Sequence, residues 1–477
     1  METISERFDV ACRNFPNRAA IFAEDGEPVS FERLYYSIHS LAQTLLERGV
    51  QTGNIVSIHV ADRGTRLALT LALMRIGAGA ALFGPPLPAP GERTGVNFYI
   101  VDGIDPGLPD PRILRLDPSW LRPADRPILQ RGVGGIITST SGTTGFPKLQ
   151  AFGENVLLAR LDVSNRAMGA VDAPLLVGFN PSTSAGFQGG LIALVLGQTH
   201  IVPDRNPQKT LSKMAEIGAR YARVPPLVLR LLLDGLRDYS GPVPKMKQFV
   251  VGGATVAPDL AAAAEEAFGG VVYNAYGSTE SGLVSHFRVT DAPHRTAIVG
   301  RIRPSIPFRF LDDSGAVAPD GELHLKVPEA VRGSQYLNAE GPYDADGWVA
   351  TGDVGTLDDD GNVVLTGRRA EFINAGGTKR APELFEKEFA SVPGVSDVAA
   401  FAVSNGFGSD DAGLVLVADR ELVTERHIRA ALAEGVRRGF VFRVFFADSI
   451  PRTAAGKLDR RYLSAVHESR VADLTVP

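Results

Sequence analysis

The stretch Thr138-Ser-Thr-Ser-Gly-Thr-Thr-Gly-Phe-Pro-Lys148 decides how this chain is read. It follows an apolar, strand-like run at residues 133–137 and packs six hydroxyl residues, two glycines and a lysine into eleven positions. Glycines let a backbone come close to an oxyanion, while hydroxyls and main-chain N–H groups donate to phosphate oxygens. Lys148 adds a positive charge at the end. The segment is not a Walker A loop, because Pro147 precedes the lysine and Leu149 follows it where Gly and Ser/Thr would stand. An ordinary polar loop is the bland alternative; the density of donors closed by Pro-Lys favours phosphate binding.

Working outward, the chain alternates helices and strands. Ser30 can cap a helix whose apolar positions Leu34, Ile38, Leu41 and Leu45 fall on one face, with Gly49 as its stop. Residues 55–60 read as a strand, 210–222 as a helix, 248–251 as a strand, and 258–267 as a helix after a Gly-Gly turn. From about 297 to 364 the pattern shifts to short strands between Asp/Gly turns. The last 111 residues (367–477) mix helices with short strands. Their charge is nearly balanced, 16 basic against 15 acidic, so the net charge of −5 sits in the longer N-terminal part.

Composition bounds the answer. A length of 477 residues is ample for several cores. Gly and Pro together make about 17%, above the usual ~12%, which points to many turns rather than to a fibrous or disordered chain. A near-neutral, slightly acidic chain has no general electrostatic reason to hold nucleic acid or anionic membrane. The single cysteine, Cys12, excludes an internal disulfide framework and reads as a small buried hydrophobe. The N-terminus lacks a secretory pattern and no run reaches the length of a membrane span, so a cytoplasmic protein is expected.

Further constellations lie far from the phosphate loop. Tyr273-Asn-Ala-Tyr-Gly-Ser-Thr-Glu280 sets a hydroxyl beside a carboxylate, which suits a Mg²⁺ that also touches phosphate oxygens. Asp353, in Thr351-Gly-Asp353, could accept hydrogen bonds from a ribose diol, and Arg368 offers a guanidinium. Pro451-Arg-Thr-Ala-Ala-Gly-Lys457 presents a lysine beyond a glycine. Each alone reads more readily as an exposed turn or a surface charge than as a binding group.

Together and in this order, these segments resemble the adenylate-forming superfamily of acyl-CoA synthetases, adenylation domains and luciferases, closest to AMP-forming acid–CoA ligases. Thr140–Lys148 matches the phosphate-loop signature, Tyr276–Glu280 the Tyr-Gly-x-Thr-Glu signature, and Thr351–Asp353, Gly367-Arg368 and 451–457 the remaining ones. Gly376-Gly377, Pro382-Glu383 and Glu386 belong to the same pattern. The resemblance implies an α/β fold. A large N-terminal domain (1–366) would hold two α/β subdomains and a β-rich subdomain, and a small mobile α+β C-terminal domain (367–477) would carry the catalytic lysine.

The resemblance also implies chemistry. Such enzymes join a carboxylic acid to AMP from ATP with Mg²⁺, then transfer the acyl group to a thiol. Thr140, Ser141, Gly142, Thr143, Thr144, Gly145 and Lys148 would hold the triphosphate. Thr279 and Glu280 would serve the α-phosphate and the metal. Gly252, Gly253 and Ala254, with Asn274, Ala275 and Tyr276 opposite, would contact adenine. Asp353 and Arg368 would bind ribose, and Lys457 would reach the attacking carboxylate. Phe179, Ser184, Gly277, Gly282 and Leu283 would line the acid pocket, with helix packing the alternative for Phe179 and Leu283. Gly376 and Gly377 would border a pantetheine tunnel.

The sequence departs from the pattern at Leu149 (usually Gly), Glu154 (often His), Thr183 (where an aromatic or His is common) and Ala370 at the hinge (usually Asp or Lys). No Asp stands in 179–186 to pair with a substrate ammonium, which disfavours an α-amino acid. Three readings follow: a ligase forming acyl-coenzyme A from an aryl or modest aliphatic acid, an enzyme loading a carrier-protein phosphopantetheine, or a degenerate nucleotide-binding scaffold. The intact Lys148, Glu280, Asp353, Arg368 and Lys457 argue against the last.

Overall fold

A computed structural model of the chain describes residues 2–23, 27–82, 95–103, 112–121, 127–140, 148–167, 169, 171–293, 297–375, 378–404, 410–424, 426–428, 440–453, 457–467, 470 and 472–476. Two compact units emerge, Met1–Pro307 with Leu325–Val349, and Phe308–His324 with Ala350–Pro477.

The first unit is built on two sheets with parallel interiors. One runs in the order Gly282–Arg288, Val271–Ser278, Gln248–Gly252, Tyr221–Val224, Leu175–Val177, His200–Ile201, Ala19–Phe22 and Val29–Ser30. Only its two edge strands pair antiparallel. Gln248–Gly252 and Leu175–Val177 are buried along their whole length, as strands covered on both faces must be, and they are correspondingly continuous in apolar residues. The other sheet orders Ile113–Arg115, Val96–Val101, Ile55–His59, Gly79–Ala81, Gly135–Thr140 and Lys148–Gly153, with only the last pair antiparallel.

Local signals work as read at several places. Ser30 caps the helix Phe31–Glu47 by accepting from the Arg33 N–H, and Leu34, Ile38, Leu41 and Leu45 are all buried. Cys12 is 6% exposed in the same apolar cluster, and burial pushes its thiol up to about 12, so it is an inert core residue. One segment differs from expectation. The helix expected at 210–222 is Pro207–Glu216, because Asn206 caps it and Pro207 starts it one turn earlier. Gly218, at φ +65°, then turns the chain into the strand Tyr221–Val224. The strand Val271–Ser278 includes the polar residues 273–278, carried along by antiparallel pairing with Gly282–Arg288.

In the second unit residues 353–357 pair antiparallel with 363–368, and Phe308–Leu311 with Val317–Ala318. A four-stranded sheet orders Val395–Ser404, Asp410–Ala418, Phe442–Phe446 and Leu474–Val476. The helices Pro382–Ala390 and Arg460–His467 pack on Val395–Ser404. Its core includes Phe385, Phe389, Leu414, Phe440 and Phe442. Among the described residues no helix is long and apolar enough to cross a membrane.

Candidate active site

The phosphate-loop residues Ser141, Gly142, Thr143, Thr144 and Gly145 lie outside the described residues, as do Gly376 and Gly377. The ends of the loop are described. Thr140 and Lys148 are direct cross-strand partners, so the segment between them starts and finishes at one rung of the sheet. The chain at 333–338 runs alongside the second of those strands. Leu337 N–H donates to the Leu149 carbonyl at 2.8 Å, Ser334 N–H to the Ala151 carbonyl at 2.9 Å, and Leu149 N–H to the Asn338 side chain at 2.8 Å. This zipper brings the Tyr336 ring within 5.1 Å of the Lys148 ammonium.

The same tyrosine reaches Glu280. Its hydroxyl donates to Glu280 Oε1 at 2.5 Å. Thr279 and Glu280 sit in the tight connection between Val271–Ser278 and Gly282–Arg288, where Ser278 and Ser281 exchange backbone-to-hydroxyl hydrogen bonds, each 3.1 Å. The turn is pinned from below by Arg160, which is 3% exposed. Its guanidinium donates to the carbonyls of Thr279 and Glu280 (both 2.8 Å) and Val331 (2.7 Å). Tyr343 donates a second hydrogen bond to the Glu280 carbonyl at 2.8 Å. Burial holds the Arg160 guanidinium down, to about 10.

A Mg²⁺ fits this arrangement. Among the described residues no three His, Cys, Asp or Glu side chains cluster to cage a metal. Glu280 therefore offers a single carboxylate, with one oxygen held by Tyr336. That donor set suits a cation that takes its remaining ligands from phosphate oxygens and water.

Close backbone approach shapes the rest of the first unit's site. A Cβ on Gly277 would stand 2.0 Å from the Gly282 carbonyl oxygen, and Gly282 itself has φ +67°. Gly252, at the end of its strand, would meet the Ala275 carbonyl at 2.8 Å; Gly253 follows at φ +83°, with Phe179 at 3.7 Å from a Cβ there. The expected adenine-contacting segments, 252–254 and 274–276, are thus adjacent, with Gly252 paired to Ala275. Asn274 turns its amide inward to the Ile298 carbonyl at 3.2 Å, while Tyr276 is half-buried. Leu283 pairs with Gly277, and Ser184 accepts from Gln188 at 2.6 Å in the first turn of its helix.

Two departures from the family pattern have structural jobs. Leu149 is core, packed with Tyr99 and Ile137. Glu154, 1% exposed, accepts from the Ile4 N–H at 2.7 Å and from Gln130 at 3.0 Å, and so anchors the first helix, Ile4–Asn14.

In the second unit Asp353 and Arg368 are cross-strand partners, and Arg368 Nε donates to Asp353 Oδ1 at 2.9 Å. Asp353 is 8% exposed, and its N–H is held by the Thr351 hydroxyl at 3.1 Å. Lys457 lies beside an antiparallel bridge between Arg452 and Leu458, and the Thr453 N–H donates to the Lys457 carbonyl at 2.7 Å. Three residues on, Arg460 ties this loop to Glu371 (2.7 Å), Glu386 (2.8 Å) and Glu383 (3.1 Å). Burial pushes Glu386 up to about 7 against the pull of Arg460, and raises Glu383 as well.

Sequence reasoning missed Arg160, Tyr336 and Tyr343. Arg160 left a trace, a charge between Leu157, Leu158 and Leu161 on an otherwise buried helix face; the two tyrosines left none.

Known proteins extend these observations. Residues 133–334 match the family described as AMP-binding enzyme. A salicylyl-CoA synthase / salicylate adenylyltransferase from a Streptomyces species is 27% identical over 504 residues, covering 93% of this chain and 90% of that protein. An oxalate–CoA ligase from Arabidopsis thaliana is 26% identical, covering 97% and 98%. The fold matches that of an O-succinylbenzoate coenzyme A synthetase from Bacillus subtilis in complex with AMP, with a TM-score of 0.84 at 20% identity over 98% and 99% of the two chains. The ordered signatures, the α/β architecture and these likenesses agree: the chain belongs to the adenylate-forming superfamily of AMP-binding enzymes, on the side of the acid–CoA ligases.

Proposed function

We propose that this protein activates a carboxylic acid with ATP, forming an acyl adenylate and pyrophosphate, and then passes the acyl group to the thiol of coenzyme A. One observation carries the reading. Lys148, at the end of the phosphate loop, and the carboxylate of Glu280 flank a single phenol, Tyr336, which sets a cation and a metal-competent anion on one surface. That pairing suits a Mg²⁺-bound polyphosphate, where catalysis is chiefly positioning and charge stabilisation. Mg²⁺, when bound, would offset charge on the phosphate oxygens.

The roles follow the signatures. Thr140–Lys148 would cradle the β- and γ-phosphates, Thr279 would donate to the α-phosphate, and Asp353 with Arg368 would hold ribose. Lys457 would stabilise the charge that builds as the carboxylate oxygen attacks phosphorus. The chemistry calls for a C-terminal domain, 367–477, that turns against 1–366 between the half-reactions, with the tunnel of Gly376 and Gly377 opening to the thiol in the second. A carrier-protein pantetheine is the second acceptor considered; a relative whose name includes an adenylyltransferase activity favours keeping it. The cytoplasm, where ATP and coenzyme A are pooled, suits either reaction.

The test is ATP–pyrophosphate exchange across a panel of aryl and aliphatic acids, followed by thioester analysis with coenzyme A or a pantetheinylated carrier. Exchange with at least one acid and a coenzyme A thioester are expected. Absence of exchange with every acid would overturn the reading, and thioester on the carrier alone would replace the acceptor.

A further inference from the structure

We infer that a recess in the first unit accepts the second carboxylate of a dicarboxylic acid, so that the preferred substrate carries an anionic group at the end remote from the reacting carboxylate. The inference rests on the acid-activating reading above and names its substrate class. The recess lies between the helices Arg63–Arg75 and Ser184–Val195 and the strand His200–Ile201. Arg63, Arg66 and His200 form its polar wall, and Leu67, Val177 and Phe179 face them with apolar surface.

No carboxylate bonds this wall directly. Arg66 donates from Nε and Nη2 to the Val60 carbonyl and from Nη1 to the Ser182 hydroxyl at 2.7 Å. Those acceptors are neutral, so they fix the guanidinium without cancelling it. Asp62 and Asp102 attract Arg66 only through space, since each is turned to a backbone donor: Asp62 accepts from the Thr65 N–H at 2.6 Å, and Asp102 from the Ala61 N–H at 2.6 Å. Among the described residues Arg63 has no hydrogen-bond or ion-pair partner, and no carboxylate lines the recess.

His200 supplies an independent sign of a missing ligand. It is 8% exposed, and its Nδ1 is buried without a partner. Burial, aided by the charge of Arg63, lowers its pKa to about 4, so the imidazole stays neutral and does not repel the guanidinium groups. One guanidinium fixed by neutral acceptors, a second without a bonded partner among the described residues and an orphaned imidazole nitrogen are costly alone and favourable around an anion.

The recess also points to the acid rather than the nucleotide. Phe179 lines it and, at the same time, lies 3.7 Å from a Cβ placed on Gly253, next to the adenine-contacting turn. Methylene groups would pack on Phe179, Val177 and Leu67 beside the guanidinium pair, a lining that matches a short aliphatic diacid better than a polyphosphate. Arginine suits this role because its planar fork takes a carboxylate through two parallel hydrogen bonds.

The test uses the whole chain with malonate, succinate, glutarate and adipate, each beside its own monoamide, which keeps the length and removes one charge. Isothermal titration without ATP reads the recess by itself; ATP–pyrophosphate exchange reads activation. At least one diacid is expected to bind about tenfold more tightly than its monoamide, with the same ratio in kcat/KM for exchange. Arg63→Gln should collapse that ratio to within about twofold, and Arg63→Lys should restore part of it. Equal binding of every diacid and its monoamide by the unaltered protein would overturn the inference. So would a ratio that survives Arg63→Gln in a variant that melts normally. Diacid binding that depends on Arg63 but gives no exchange would leave the recess standing and overturn acid activation instead.

Discussion

Arg160 and Arg460 are both largely buried arginines beside functional loops, yet they are held by opposite means. Arg160, in the first unit, bonds three backbone carbonyls and no carboxylate. Arg460, in the second, meets three carboxylates and one carbonyl. Burial lowers the pKa of Arg160; around Arg460 burial also pulls down, but Glu386, Glu383 and Glu371 outweigh it and the pKa rises. The turn carrying Glu280 is therefore set by dipoles, which pH does not change. The foundation of the Lys457 loop is set by charges, which it does.

The largest test of this contrast is Lys457→Ala. Pyrophosphate exchange should fall by roughly 10³-fold, while thioester formation from a supplied acyl adenylate is retained, because in the proposed mechanism the ammonium would serve only the first half-reaction. Equal loss in both single-turnover assays would break the assignment.

Next come the two arginines themselves. Arg160→Met strands three buried carbonyls and should cost about 3 kcal/mol in the first unit's unfolding transition, equally at pH 5 and pH 8. Arg460→Met leaves buried carboxylates without a cation and should cost about 3–5 kcal/mol at pH 8. At pH 5 its cost should shrink, since Glu386 and Glu383 can take up protons. Calorimetry at both pH values decides it; a pH-independent cost for Arg460→Met would erase the contrast.

A smaller effect comes from titration without mutation. Glu386 titrates near 7 when folded, above its ordinary 4.5, so its contribution to stability is complete below about pH 4.5 and is lost as pH rises through 7. His39, His59 and His200 are held near 4 by burial, below their ordinary 6.5, so theirs is complete above 6.5 and lost as pH falls through 4. These groups push the second unit toward acid stability and the first toward neutral stability. Glu386→Gln should flatten the alkaline loss; an unchanged stability profile between pH 5 and 8 would refute the assignment.

The smallest change is Tyr336→Phe, which removes one 2.5 Å hydrogen bond to Glu280 and keeps the ring under Lys148. KM for ATP should rise about three- to tenfold with kcat nearly kept. A fall in kcat with KM constant would instead place the phenol in the transition state.

Much of the fold could be read before any coordinates, for local reasons. Ser30 caps its helix, Gly218 and Gly269 end theirs, and the buried parallel strands announce themselves as apolar runs. The helix expected at 210–222 lies a turn earlier because Asn206-Pro207 caps and opens it and Gly218 stops it. In the candidate site, Glu280, Asp353 and Lys457 stand out because they fall in short ordered signatures of the family. Tyr336, 56 residues from Glu280, and Arg160, 119 residues from Thr279, work only through spatial proximity, and a backbone carbonyl as partner leaves no mark on the sequence. The recess of Arg63, Arg66 and His200 was invisible for the same reason: its parts come from segments more than a hundred residues apart.

The 2.0 Å clearance at Gly277 has a consequence for how this protein can change over time. A methyl group there cannot be absorbed by a side-chain rotation, because the obstacle is the Gly282 carbonyl of the paired strand. Drift at Gly277 therefore requires the two strands to part, which displaces the Thr279–Glu280 turn between them. A saturation library across 277–282 should return almost no survivors at Gly277, whatever acid is supplied. Variation in substrate preference among descendants of this chain must then be written elsewhere, in the walls that a side chain can reshape without moving the backbone.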